Sequence, residues 1–144
     1  MKRILINIFI FTISVITLIG CSNNNFLKEF DLNQLTRVDV QIFTGEKSDT
    51  ETIISEEEKI VTLRELFAKV EWEENVKAEM ARKEDVKSTL FFTYDKNMPE
   101  RLIEYYIWFN QGGTIATIMD REKNALGTLD KEDAQTLKDT LVNN

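Results

Sequence analysis

Residues 37–43 alternate without a break: Val38, Val40 and Ile42 fall on one side of an extended chain, and Arg37, Asp39 and Gln41 on the other. A period of two with one apolar side marks a strand that covers a core with one face and meets water with the other. Turn-forming residues 45–49 follow, and residues 50–54 return as a second strand, which makes a hairpin. The period then changes. Ser55-Glu56-Glu57-Glu58 has the form of a capping box, in which the serine hydroxyl accepts from the amide three residues on and Glu58 reaches back to the serine amide. Ile60, Leu63, Phe67 and Val70, supported by Leu66, recur three and four apart and predict an amphipathic helix lying on the sheet. The glutamates at its start suit the positive end of the helix dipole better than they suit a cation.

Residues 71–87 are densely charged and carry no sustained period. A helical turn over residues 77–83 and a long surface connection both fit, and connections of this size often hold binding residues. Trp72, at the start of this stretch, is either a core plug or an exposed contact. Residues 88–94 read as a strand that ends at Asp95-Lys96-Asn97-Met98-Pro99. Residues 102–109 are apolar on both sides, which predicts a strand in the middle of the sheet. Asn110-Gln111-Gly112-Gly113 signals a hairpin, residues 114–119 pair back, residues 120–124 turn, and residues 125–129 form a last short strand. Asp130 is placed to cap a final helix with Glu132 and Asp133 in its first turn and Ala134, Leu137 and Leu141 along one face. The fold class is therefore α+β: an antiparallel sheet, built from an N-terminal hairpin and a C-terminal meander, with one central and one C-terminal amphipathic helix.

The first residues follow another rule. Lys2 and Arg3 precede an apolar run over residues 4–19, interrupted only by Asn7, Thr12, Ser14 and Thr17. This is the layout of a secretory signal, slightly short of the roughly 20 residues that a spanning helix needs. At its end, Leu18-Ile19-Gly20-Cys21 resembles the lipobox of bacterial lipoproteins. That resemblance implies a diacylglyceryl group on the Cys21 thiol, cleavage between Gly20 and Cys21, and Leu18 filling the peptidase pocket. It also implies residence at the extracytoplasmic face of the cell membrane, held there through Cys21. An uncleaved signal anchor is the competing reading. Residues 1–20 are thus expected to be the signal, residues 21–35 the lipidated start and tether, and residues 36–144 a single α+β domain. Within the tether, Ser22 to Asn25 are small and polar; the stretch with Phe26, Leu27, Phe30, Leu32 and Leu35 fits a short helical turn or a segment that closes the core.

Charge and composition then narrow the chemistry. The 18 basic and 25 acidic residues include Lys2 and Arg3 of the signal, so a mature chain would carry a formal charge of −9. A surface this acidic is repelled by nucleic acid, which is not expected as a partner. Cys21 is the one cysteine and histidine is absent. Disulfides, CxxC pairs and thiolate zinc sites are excluded, as are triads and metal sites that need imidazole. No catalytic residue, cofactor or metal ligand is nominated: the glycine turn lacks the spacing of a phosphate loop, and Asp130, Glu132 and Asp133 lack the ligand alternation of a calcium loop.

The half of the chain from about Ser88 to Leu141 resembles the YhfM-like small lipoproteins of Gram-positive bacteria. The likeness lies in a strand ending in a turn, Tyr105-Tyr106-Ile107-Trp108-Phe109, then Gly113-Thr114-Ile115 with Ile118-Met119-Asp120, a polar turn and a terminal amphipathic helix. It implies the same fold and location and supplies no activity. The expected function is a non-enzymatic, lipid-anchored binding or modulating domain at the cell envelope, with an envelope protein as partner. Its contact surface would be Glu104, Tyr106 and Trp108 on the outward side of the central strand, beside Trp72, since aromatics are enriched at binding hot spots. Burial of Tyr106 and Trp108 beneath a helix is the competing reading. Two further functions stand beside it: an envelope hydrolase with paired carboxylates, and an immunity or inhibitor lipoprotein.

Overall fold

The fold is known from a computed structural model, which describes residues 30–143 apart from Glu46 and the side chains of Asp49 and Thr50. Cys21, Gly20 and the rest of the expected signal and tether up to residue 29 lie outside the described residues. Strand β1 (Leu35–Thr44) and β2 (Lys47–Ile54) form the predicted hairpin. Helix α1 (Glu57–Ala68) follows, then a three-residue strand β3 (Glu71–Glu73). The meander comprises β4 (Val86–Phe92), β5 (Arg101–Phe109), β6 (Ile115–Asp120) and β7 (Ala125–Asp130), and helix α2 (Lys131–Val142) closes the chain. All seven strands share one antiparallel sheet in the order β2-β1-β4-β5-β6-β7-β3, with β5 in the middle as its two apolar sides require. The architecture is α+β. Among the described residues, no helix is long and apolar enough to cross a membrane.

Both helices lie on one face of the sheet. Alternation sends Val38, Val40, Leu90, Ile103, Tyr105, Ile107, Ile118 and Leu129 to that side, where Ile60, Leu63, Leu66 and Phe67 of α1 and Ala134, Leu137 and Leu141 of α2 meet them, all buried. The predicted helix stripes are the buried ones. Polar ties fix the layers: the Arg64 guanidinium donates to the Leu35 carbonyl at 2.6 and 3.2 Å, and Lys69 Nζ reaches Asp133 Oδ1 at 2.8 Å.

Helix starts differ from expectation. Glu56 rather than Ser55 stands at the N-cap of α1, no side chain caps that end, and the Ser55 amide donates to the Glu56 carboxylate at 3.3 Å. A short-range side-chain bond has displaced the capping box. Asp130 does precede α2, yet its side chain makes no cap bond; the Lys131 amide instead donates to the Thr114 carbonyl at 2.7 Å. At the hairpin of residues 110–113, Gly113 has φ +66° and its amide donates to the Asn110 carbonyl at 3.0 Å.

Phe30 to Gln34, with a 3₁₀ turn at Leu32–Gln34, lie on the end of the core where β1 starts. The Phe30 ring packs 5.1 Å from that of Phe92. Of the two readings for this stretch, short turn and core closure, its described part does both.

Candidate functional site

Part of the face of the sheet away from the helices is covered by residues 74–85, which contain no regular element and run from β3 to β4. They cross as a strap. At one end the Val76 amide donates to the Asn124 carbonyl at 2.9 Å. At the other, the Asp85 carboxylate accepts from the Phe109 amide at 2.7 Å and from Arg82 Nη2 at 2.9 Å, while Arg82 Nη2 also donates to the Phe109 carbonyl at 2.8 Å. Burial by itself pushes the Asp85 carboxyl up; the Arg82 hydrogen bonds and the Phe109 amide outweigh it and hold the group below the usual carboxylate range. The Trp108 indole donates to the Arg82 carbonyl at 2.9 Å and is 4% exposed beneath the strap.

Between strap and sheet runs a groove of about 570 Å³. Ala78, Met80, Ala81, Trp108 and Met119 give it apolar lining, and Glu79, Arg82, Lys83, Glu84 and Arg121 give it charged lining. A smaller hollow of about 230 Å³ shares Ala78, Met119 and Arg121 and continues toward Asn124. Arg121 Nη2 lies 3.9 Å from Glu84 Oε2, and the Glu84 side chain is only 11% exposed. The Arg121 guanidinium also stacks on Tyr106, 3.7 Å from the ring centroid. Beside it, Lys87 Nζ sits 2.7 Å from Glu104 Oε1 and the Tyr106 hydroxyl donates to Glu104 Oε2 at 3.2 Å. The Lys87 hydrogen bond holds the Glu104 carboxyl below its usual range, and the same bond raises Lys87 above the usual lysine value. The register explains the grouping: Lys87, Tyr106 and Met119 stand opposite one another on β4, β5 and β6. Chemically, this is a shielded carboxylate next to a cation, in an open groove lined by both apolar and charged side chains.

The expected contact surface is only partly assembled. Glu104, Tyr106 and Trp108 do share the outer face, and neither aromatic lies under a helix. Trp108 is covered by the strap, and Tyr106 and Glu104 are half-buried. Trp72 faces the other way, its ring 5.4 Å from that of Tyr105 in the core. The reason is Gly127, opposite Trp72 in the β3–β7 pair, whose missing side chain leaves the room that the indole and Val70 fill. Residues 71–87 stand out in the sequence as a candidate binding connection, but nothing in the sequence points to Glu84, Arg121 and Met119 individually. The one signal for them was the length of the connection over residues 71–87. Among the described residues no group of three or more acidic, cysteine or histidine side chains could hold a metal ion.

No protein-family model matches the sequence, and no curated protein matches it. Among solved structures, the chain is similar to a thioesterase-like protein from Clostridium sporogenes, with 19% identity, a TM-score of 0.52, and coverage of 76% of this chain and 96% of that one. The likeness is one of fold. It nonetheless overturns the expectation of a non-enzymatic binding, modulating or inhibitory domain: lack of histidine and of a catalytic cysteine does not exclude an enzyme when the same fold carries a thioesterase-like protein.

Proposed function

We propose that the chain is a membrane-anchored hydrolase of acyl thioesters, working in the groove beneath the strap. The observation that carries this reading is the Glu84 carboxylate, 11% exposed and 3.9 Å from Arg121, in an open groove that Met80, Trp108 and Met119 also line. The name of the structurally similar protein supports the class of reaction. In the proposed step the acyl chain lies along the apolar lining and its carbonyl oxygen faces Arg121. Glu84 takes a proton from water, whose oxygen attacks the carbonyl carbon. Arg121 stabilises the charge that develops on oxygen. The carbon–sulfur bond breaks, the thiolate takes the proton from Glu84, and a carboxylic acid and a thiol leave.

The anchor is supported by the basic start, the apolar run over residues 4–19 and Leu18-Ile19-Gly20-Cys21. A diacylated Cys21 would hold the domain stably at the membrane, since two acyl chains anchor a protein where one does not, and the secretory layout of residues 1–20 favours its outer face. Lipid labelling is expected to vanish in Cys21→Ala; unchanged labelling would remove the anchor from the reading.

Hydrolysis of acyl-thioesters of increasing chain length by the full chain tests the activity. Glu84→Gln is expected to lower kcat by about 10²–10⁴-fold, the contribution of a positioned general base. A wild-type rate no faster than buffer, or a Glu84→Gln rate equal to wild type, sinks the proposal.

A further inference from the structure

The chain outside the described residues ends at a particular corner of the domain. Phe30 packs on Phe92, and the Asp31 amide donates to the Tyr94 hydroxyl at 3.0 Å. This corner therefore also carries the turn between β4 and β5. From Cys21 to Phe30 the chain reaches no more than about 31 Å, at roughly 3.4 Å per residue. A lipid on Cys21 makes this the end of the body nearest to its attachment, so it meets the bilayer most readily.

The turn itself differs from the rest of the surface. Tyr94, Met98 and Leu102 are 45%, 65% and 50% exposed, three large apolar side chains within nine positions. Met98 is presented on a preformed backbone: its amide donates to the Asp95 carbonyl at 3.1 Å, and the Asn97 amide donates to Asp95 Oδ1 at 2.9 Å. Within the turn the charges are balanced, Asp95 and Glu100 against Lys96 and Arg101, with Asp31 of the tether side adding one acidic group at the same corner. The turn therefore adds no net repulsion from anionic headgroups. Arg101 lies over the Tyr94 ring, 5.4 Å from its centroid. A tyrosine with a cation beside it matches the level of lipid headgroups, where amphipathic rings and basic side chains settle.

We infer that the β4–β5 turn is a membrane-contacting surface, with Met98 at the acyl boundary and Tyr94, Leu102 and Arg101 at headgroup level. This rests on the anchor reading, independently of the hydrolase. It orients the domain with the hairpin of residues 110–113 away from the bilayer, because successive antiparallel turns lie at opposite ends of the sheet.

The test uses the lipidated full chain in phosphatidylethanolamine–phosphatidylglycerol vesicles. With the Cys21 thiol consumed by lipid, Met98→Cys supplies the one labelling site for a nitrobenzoxadiazole probe, and Gln111→Cys supplies the control at the far end. Both positions are exposed, so neither change threatens the fold. The probe at position 98 should shift to the blue and be quenched by doxyl-labelled lipid, while the probe at position 111 reports water. A co-floating protein with an unquenched probe at 98, or with both probes quenched alike, overturns the placement of the turn. Failure to co-float with vesicles overturns the anchor and the inference with it.

Discussion

The two faces of the sheet are built by alternate residues of the same strands, yet they hold their covers by different means. On the inner face, the helices are held by continuous aliphatic and aromatic burial from Val38 and Leu90 through Tyr105 to Leu137. On the outer face, the strap is held by a handful of polar ties, chiefly Arg82 and Asp85 on Phe109 and the Trp108 indole on the Arg82 carbonyl. Burial of apolar area is insensitive to pH and salt, whereas a few charge-assisted bonds at a half-exposed position are not. Opening therefore costs less on the outer face. Local opening draws on the least buried segments, so the strap can lift from the groove while the core stays folded.

The comparison is broken most severely from the inside. Phe67 is fully buried, with its ring 5.5 Å from that of Tyr105. Phe67→Ala should cost about 3–5 kcal/mol, a large part of the roughly 5–15 kcal/mol that holds a domain together. The denaturant midpoint measures it; a loss under 1 kcal/mol would mean that the helices are not held as described. Gly127→Ala should rank next. Its added Cβ would collide with Val70 Cγ1 and lie 3.0 Å from the Trp72 ring, which predicts about 1–3 kcal/mol of destabilisation by overpacking.

The strap supplies the intermediate case. Asp85→Asn keeps the shape but weakens the bonds to Arg82 and Phe109, with an expected loss of about 1–2 kcal/mol and an earlier, separate unfolding of the outer face. The pH dependence has a definite sign. The folded Asp85 carboxyl is held below its unfolded range, so its contribution is complete at neutral pH and is lost as pH falls through and below that range. Acidification should change Trp108 fluorescence, read in a Trp72→Phe background, before the helical circular dichroism signal falls. In Asp85→Asn this early step should be absent; an identical acid profile in both proteins would remove Asp85 as the latch.

The same contrast governs what could be read from the chain. Inner-face residues declared themselves by period: Val38 and Val40 at two, Ile60, Leu63 and Phe67 at three and four, Ala134, Leu137 and Leu141 likewise, and each is buried. The turn at Gly113 was legible because its positive φ needs a glycine. Pairing of β1 with β4, which joins hairpin and meander into one sheet, has no local signal. The face of Trp72 was set by Gly127, remote in sequence and adjacent only across the β3–β7 pair. The groove was hidden for a related reason: the strap has no period, since its position depends on the end of β5. Its Glu84 meets Arg121 only after the sheet has formed.

A buried hydroxyl tests whether the inner face holds a polar tie inside its core, beyond those of Arg64 to Leu35 and Lys69 to Asp133. Ser88 faces the core between Val40 and Tyr105, fully buried, and its hydroxyl has no hydrogen-bond partner among the described residues. An unpaired buried hydroxyl carries a desolvation cost and returns nothing. Ser88→Ala removes that cost for the loss of one small atom. The expected change therefore runs from zero to about 1 kcal/mol of added stability, read as a higher denaturant midpoint at unchanged slope. A loss of stability would mean that the hydroxyl is paired through an ordered water. In that case a polar contact would lie within the core itself, in addition to those of Arg64 and Lys69, and the contrast between the two faces would narrow further.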